Sequence, residues 1–294
     1  MKVVYGHTDS IYVKIDSIDK AKQAVEEINS HVRKAFPNIL GLAEHPVNLE
    51  FEKYFSSLGV GATKNRNAGL ISWKDGYPLD TPEFTMTGFT AKRISENVLG
   101  RDIQISTLKM WLDGKSQKTI NSYLYEKYRS VINGKISINS IIKRSRLKVE
   151  RFEVKCQSCN KKYKIENCYP IQFCEKCGKG KNTFVTTKGK KPTFGEGVAG
   201  ILYGREKLDM QYDDSYLYMK IQSNDRFTHP LTDESKQVEY YAGSTYEDFD
   251  NVTPDWRHYA NQVIKKAEPI YKAMGWNTDS IRTGTIQTSF EDWW

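Results

Sequence analysis

Five cysteines lie within one short stretch of the sequence, between Cys156 and Cys177. Four of them form two pairs, Cys156-x-x-Cys159 and Cys174-x-x-Cys177. Four thiolates presented by two tight turns suit a tetrahedral zinc site with Zn–S distances of about 2.3 Å. Such a site has no open coordination position, so we expect a structural Zn²⁺ that orders a zinc ribbon over residues 153–181.

Three other uses of the cysteines remain open. A disulfide framework suits a secreted protein, an iron–sulfur cluster also takes four cysteines, and a redox pair lacks a thioredoxin-like context in this sequence. Clustering in one stretch favours a local metal site in a reducing compartment. The fifth cysteine, Cys168, lies between the two pairs and is expected to be a spare.

A second candidate for chemistry is Asp9, which lies in a polar turn between two β-rich runs, residues 3–5 and 11–15. This pattern predicts a β-hairpin that holds the carboxylate at its tip. Mg²⁺ prefers oxygen ligands and usually takes one or two protein carboxylates plus substrate phosphates. Two such ions can stabilise the attacking and leaving oxygens of a phosphoryl transfer. The alternative is a surface turn with a chance aspartate.

The segment VVYGHTDSIYV resembles motif C of family B DNA polymerases, whose usual form is Tyr-Gly-Asp-Thr-Asp-Ser between two strands; five of the six positions match. The resemblance implies that Asp9 is a catalytic ligand of Mg²⁺. His7 stands where the family has its first aspartate. Histidine is a poor Mg²⁺ ligand, so Asp9 is the implied metal ligand, and His7 is the second residue that the resemblance places at the catalytic site.

Two further segments resemble the palm domain of the same family, in the same order. Residues 48–52 (NLEFE) are similar to its Leu-Glu-Leu-Glu strand. Residues 62–68 (ATKNRNA) resemble its Thr-Lys-Lys-Arg-Tyr-Ala turn, which contacts the primer–template backbone. The resemblance implies that this turn binds DNA and departs from the family at two asparagines; the DNA-binding residues are Lys64 and Arg66, and the departures are Asn65 and Asn67.

Residues 86–93 (MTGFTAKR) resemble the strand and basic pair that lead from the palm into the thumb. The resemblance implies that Lys92 and Arg93 bind DNA. Lysine and arginine donate readily to phosphates. For each basic residue the alternative is a solvated surface charge, and the order of the motifs favours the DNA-binding interpretation.

Residues 256–263 (WRHYANQV) are similar to the last thumb helix of archaeal-type family B enzymes. The final eight residues, QTSFEDWW, resemble the PIP box that binds the sliding clamp, PCNA. The resemblance implies clamp binding by a polar residue and three aromatic ones: Gln287, Phe290, Trp293 and Trp294. The alternative is that the two tryptophans pack on the thumb itself.

Together these resemblances imply an α+β fold: a partial polymerase palm of β-hairpin, strands and helix, then a mostly helical thumb with the zinc ribbon inserted. The palm would occupy residues 1–94, the thumb 95–280 and the clamp-binding tail 281–294. The implied activity is that of a DNA-directed DNA polymerase, a nucleotidyltransferase.

Nothing in the sequence resembles the family's motif A, its nucleotide-binding helix motif or a 3′–5′ exonuclease. A large polymerase subunit would therefore have to complete the palm and bind dNTP through the complex. Met1 just before motif C favours the small subunit of a split archaeal-type enzyme. Two alternatives remain: a non-catalytic DNA- and clamp-binding accessory factor, and a fragment of a longer polymerase.

The composition limits the class of protein. The sequence has 294 residues with a formal net charge of +8, and 38% of residues are hydrophobic. A basic excess is compatible with a nucleic-acid partner. No stretch approaches the roughly 20 apolar residues of a membrane span. We therefore expect a soluble cytoplasmic, nucleoid-associated protein with no membrane partner.

The elements that position these residues follow from periodicity and turn signals. Helices are predicted over residues 19–36, ended by Pro37; over 95–133, broken at Gly114; over 194–212; and over 255–274, with Tyr259, Val263, Ile264 and Ala267 on one face. Short strands are predicted over residues 47–51, 59–62 and 68–73, followed by the turn Asp75-Gly76. Residues 222–253 give no clear pattern.

Overall fold

The computed structural model describes residues 2–6, 10–63, 65–146, 151–166, 171–188, 215–228 and 235–284. Within these ranges the chain is mixed α and β, with five α-helices and small antiparallel sheets of two or three strands. None of the described helices is long and apolar enough to cross a membrane. The chain divides into two units, each of which is described below by itself.

The first unit comprises the described parts of Met1–Lys92, Gln104–Tyr123 and Ala267–Trp294. It opens with a hairpin of β1 (Lys2–Gly6) and β2 (Ile11–Lys14), in which Gly6 is opposite Ile11. Helix α1 (Ile18–Ala35) follows, and the side chain of Ser17 caps it by accepting from the N–H of Lys20 at 3.3 Å. The predicted hairpin and first helix are confirmed.

A three-stranded antiparallel sheet comes next, with β4 (Asn67–Lys74) between β3 (Lys53–Val60) and β5 (Tyr77–Thr87). The predicted turn at Asp75-Gly76 joins β4 to β5, and both residues have positive φ, 50° and 95°, as a two-residue hairpin loop requires. The prediction of a strand over residues 68–73 is confirmed. Strand β3 begins earlier than the predicted 59–62.

The prediction of a strand over residues 47–51 is wrong. This segment pairs with none of the described strands; instead, the buried side chain of Asn29 in α1 binds it. The Asn29 amide donates to the Leu49 carbonyl at 2.8 Å and accepts from the Leu49 N–H at 2.7 Å. One side chain thus satisfies both backbone polar groups of Leu49, which a neighbouring strand would otherwise have paired.

Two helices follow, α2 (Val98–Leu112) and α3 (Gln117–Ile132), and Gly114 between them has a φ of 70°. The predicted helical segment with a break at Gly114 is confirmed. Near the end of the described chain lie α4 (Trp256–Met274) and the short α5 (Asp279–Thr283). The apolar side chains predicted for one face of α4 are all buried: Tyr259, Val263, Ile264 and Ala267.

Apolar side chains from several of these elements form the core of the first unit: Ala68, Met86, Phe89, Ala91, Leu108, Leu112 and Ile270. The ring of Trp111 packs over Gly59 in β3, where an added Cβ would lie 2.2 Å from it. Strand β3 is thereby fixed against α2, and the sheet becomes a stable support for the segments that flank it.

The second unit comprises the described parts of Arg93–Ile103 and Leu124–Lys266. One of its sheets has β10 (Ser215–Lys220) between β13 (Tyr240–Gly243) and β6 (Lys143–Arg146), and buried tyrosines form its core. A second sheet has β7 (Arg151–Cys156) between β8 (Lys162–Glu166) and β9 (Phe184–Lys188). A small hairpin pairs β11 (Arg226–Thr228) with β12 (Ser235–Gln237).

Residues 95–280 therefore contain both strands and helices, whereas the sequence predicts a mostly helical segment there. Within the described residues this segment contains eight strands, four of them in the stretch from 215 to 243. Buried tyrosines of two of those strands, β10 and β13, pack against one another across their sheet. The helix predicted over residues 194–212 lies outside the described residues.

Candidate functional site

The hairpin that resembles motif C is attached to the turn that resembles the basic DNA-contacting turn. The Tyr5 hydroxyl donates to Asn65 Oδ1 at 3.2 Å and accepts from the Asn65 N–H at 3.2 Å. The Tyr5 ring lies 5.5 Å from that of Tyr12, which lies 5.8 Å from Phe55 in β3. Two hydrogen bonds and a row of rings thus fix the hairpin to the sheet beside that turn.

The turn itself requires its asparagine. Asn65 has a φ of 60°, and asparagine tolerates this left-handed conformation better than most residues. The N–H of Gly61 donates to the Arg66 carbonyl at 2.7 Å and closes the turn. The asparagine that departs from the family's second lysine therefore has a local physical reason.

A third segment, the one that resembles the approach to the thumb, packs against the same turn. Gly88 follows β5 with a φ of 76°, and an added Cβ there would lie 1.9 Å from the Asn65 carbonyl oxygen. No residue larger than glycine fits at position 88 unless the Gly88 segment or the Asn65 turn moves. Three segments that lie far apart in sequence thus meet around Asn65.

The predicted DNA-binding residues have different environments. Arg66 is half-buried in the turn, whereas Lys92 and Arg93 are exposed. His7, Asp9 and Lys64 lie outside the described residues, and so does the predicted clamp-binding segment of Gln287, Phe290, Trp293 and Trp294. Their assignments remain predictions.

The second candidate site is formed by Cys156, Cys159, Cys174 and Cys177, whose sulfur atoms all lie within 4.8 Å of one another. The Cys156 and Cys177 sulfurs are 3.6 Å apart, and those of Cys159 and Cys174 are 3.3 Å apart. A tetrahedral ion with bonds of about 2.3 Å separates its ligands by about 3.8 Å, so the four cysteines fit a metal ion. Cys168 lies outside the described residues.

The two cysteine pairs have the same backbone geometry. In the first turn, the N–H of Asn160 donates to the Cys156 carbonyl at 2.9 Å, and Asn160 has a φ of 62°. In the second, the N–H of Gly178 donates to the Cys174 carbonyl at 2.7 Å, and Gly178 has a φ of 67°. Each turn therefore ends on a left-handed residue that brings its pair of sulfurs to one side.

The two cysteine turns also make the same kind of hydrogen bonds to sulfur. The N–H groups of Ser158 and Cys159 point at the Cys156 sulfur, and those of Lys176 and Cys177 point at the Cys174 sulfur. Burial raises the pKa of the Cys156 thiol, but these donors outweigh it and lower the pKa overall. Donors of this kind stabilise thiolates, the form of cysteine that binds metal ions.

Tyr163 is a supporting residue that the sequence did not reveal. Its hydroxyl lies 3.1 Å from the Cys174 sulfur and accepts from the Glu175 N–H at 2.9 Å. Burial raises the pKa of Cys174, but Tyr163 and the other donors lower it to about 6. Its position four residues after Cys159 gave no signal for this contact.

Among its described side chains, the sheet that carries the cysteines has a small apolar core. Val154 is the buried residue, and Tyr163, Ile171 and Phe184 pack against it. Burial of so few side chains does not offset the entropy of ordering the segment. A bound metal ion would supply the missing stabilisation, so we regard the site as structural.

A buried ion pair lies elsewhere in the second unit, and no sequence pattern indicated it. Glu96 accepts from Lys266 Nζ, and their side chains are only 6% and 11% exposed. Lys143 Nζ lies 3.8 Å from the same carboxylate. Burial lowers the pKa of Lys266, and Glu96 opposes this shift. The pair joins the start of α2 to α4, far apart in sequence.

The sequence matches DNA polymerase family B over residues 1–274, and the chain belongs to this family. It is 27% identical over 144 residues to the DNA polymerase zeta catalytic subunit of Arabidopsis thaliana, an alignment that covers 48% of this chain and 7% of that protein. It is 28% identical over 154 residues to DNA polymerase 037L of Invertebrate iridescent virus 6, covering 47% and 12% respectively. The chain thus spans only a small part of these relatives.

Proposed function

We propose that this chain is the small subunit of a split family B DNA polymerase of archaeal type. Residues 1–94 supply the end of the palm and residues 95–280 the thumb, and the complex works at the nucleoid in the cytoplasm. The observation that carries the proposal is the bonding of Tyr5 to Asn65 beside Gly88. It brings together three segments that each resemble a family B motif and so supports the proposal.

In this proposal Asp9 holds a catalytic Mg²⁺, and a large subunit supplies the remaining carboxylates and the dNTP site. The metal supplies charge stabilisation for phosphoryl transfer. The chain's own basic residues position the primer–template by its phosphates: Lys64, Arg66, Lys92 and Arg93. His7 takes no direct part in binding the metal.

The test is primer extension by the complex with the large subunit. Asp9→Asn should lower the rate by orders of magnitude, because it removes a metal-binding charge. Asp16→Asn is the matched control: this exposed aspartate follows β2 and pairs with Lys20 at the surface, at 3.1 Å, so the rate should not change. His7→Asp should keep or raise the rate. Normal extension by Asp9→Asn would overturn the assignment.

We further propose that the four-cysteine site holds Zn²⁺ and that the tail binds the sliding clamp. In the tail, aromatic residues would act as hot spots, each worth about 2 kcal/mol or more. Phe290→Ala combined with Trp293→Ala should abolish clamp-stimulated synthesis, with melting temperature and clamp-free synthesis unchanged. If the double variant instead melts early and binds the clamp normally, the tryptophans pack on the thumb.

A second candidate function is a non-catalytic DNA- and clamp-binding factor derived from such a subunit. The replacement of the first motif C aspartate by His7, together with Asn65 and Asn67, favours it. The two functions differ in one result. If the complex binds DNA and the clamp but extends no primer, either before or after His7→Asp, the accessory function replaces the catalytic one.

A further inference from the structure

The two faces of the sheet formed by β7, β8 and β9 differ in chemistry. On one face Val154 is buried, with Tyr163 and Phe184 packed against it beside the four cysteines. Successive side chains of a strand point to opposite faces. The other face therefore carries Glu153 and Lys155 from β7 and Lys162 and Lys164 from β8. We call these four residues the lysine face.

The strand register sets like charges against each other on the lysine face. Lys155 is directly opposite Lys162, and Glu153 is opposite Lys164. Lysines placed directly opposite each other destabilise a sheet. Elsewhere in the same segment a lysine is neutralised: Lys161 pairs with Glu175 at 2.5 Å. Within the described residues, none of the three lysines of the lysine face has an ion pair.

We propose that the lysine face binds the phosphate backbone of duplex DNA. Lys162 and Lys164 are exposed and Lys155 is half-buried, and strand alternation places all three side chains on the same side of the sheet. Lys162 and Lys164 stand about 6.8 Å apart along their strand, a spacing that suits contacts with successive phosphates of one DNA strand. A phosphate backbone would neutralise the repulsion between Lys155 and Lys162, which an uncharged ligand would not.

The chemistry of the lysine face favours contact with the phosphate backbone of DNA over recognition of base edges. Lysine binds phosphate as a point charge and carries no sequence information there. Sequence-independent contact is what a thumb that slides along a duplex requires. The choice of DNA as the ligand rests on the proposed function. Binding by the lysine face does not depend on catalysis, because it is measured with no nucleotide present.

The experiment measures the affinity of the full zinc-loaded chain for a duplex oligonucleotide over a series of salt concentrations. The triple variant Lys155→Gln, Lys162→Gln, Lys164→Gln loses three phosphate contacts. The slope of log K against log[salt] should become shallower by about 2.7, and affinity at physiological salt should fall by up to about a hundredfold. Zinc content equal to wild type shows that the ribbon is still folded.

Two controls decide the interpretation. Lys34→Gln, Lys115→Gln, Lys118→Gln removes the same charge from exposed lysines outside the ribbon, and the slope should not change. Glu153→Gln removes the carboxylate that lies opposite Lys164 on the lysine face, and it should strengthen binding. A wild-type slope in the ribbon triple variant, or an equal loss in the control triple variant, overturns the proposal whether or not the complex extends primers.

Discussion

The hydroxyl of Tyr5 makes two hydrogen bonds to one residue, Asn65, which lies 60 positions later in the chain. Tyr5 begins the segment that resembles motif C, and Asn65 lies in the turn that resembles the DNA-contacting turn. A lysine at position 65, as in the family's usual turn, could not accept a hydrogen bond from the tyrosine. The departure at Asn65 therefore creates a connection between the two segments.

Tyr5→Phe tests this connection. The variant loses both hydrogen bonds but keeps the ring, so unfolding should become easier by only about 0.5–1.5 kcal/mol. Primer extension by the complex should fall about tenfold or more, because the hairpin that carries the proposed metal ligand Asp9 is no longer fixed to the turn. Tyr12→Phe is the control, since its ring contacts remain and its activity should match wild type. Equal rates in both variants would show that the link has no role in positioning.

Gly88→Ala tests the close approach of the third segment. Gly88 and Gly76 both have positive φ, but an added Cβ meets the Asn65 carbonyl oxygen at 1.9 Å only at Gly88 and meets nothing within 4 Å at Gly76. Gly76→Ala should cost about 1–2 kcal/mol from backbone strain alone. Gly88→Ala should cost clearly more, by chemical denaturation. Equal costs would mean that the Gly88 segment and the Asn65 turn move apart easily.

Elemental analysis tests the cysteine site. The wild-type chain should contain one Zn²⁺, Cys168→Ser should retain it, and Cys174→Ser should lose it, because a closed site needs all four sulfurs. Chelation should then unfold the ribbon, whose own core is small, as measured by loss of amide protection in residues 151–188. Loss of zinc in Cys168→Ser with retention in Cys174→Ser would show that the ligands are a different four.

Glu96→Gln tests the buried ion pair. Lys266 would remain buried without its carboxylate, so the free energy of unfolding should fall by about 3–5 kcal/mol. Glu239→Gln is the matched control, because this glutamate pairs with Lys220 at 3.6 Å while its side chain is 58% exposed. It should cost at most about 1 kcal/mol. Similar losses in the two variants would mean that water reaches the Glu96 pair.

Local patterns in the sequence were enough to predict the elements with strong periodicity. The N-terminal hairpin, α1, the break at Gly114 and the apolar face of α4 each follow from residues within one or two turns of one another. The cluster of four cysteines was equally evident, because the spacing within each pair is itself the signal. The family resemblance gave the order of the palm segments.

Tertiary contacts decided what the local pattern could not. Residues 47–51 have the composition of a strand, yet the side chain of Asn29 takes the hydrogen bonds that a neighbouring strand would have made. Tyr163 contacts Cys174, and Glu96 pairs with Lys266, which lies 170 positions later. No pattern in the sequence near these residues predicts either contact. Hydrogen bonds and ion pairs of this kind depend on which surfaces the fold brings together, and periodicity carries no information about distant partners.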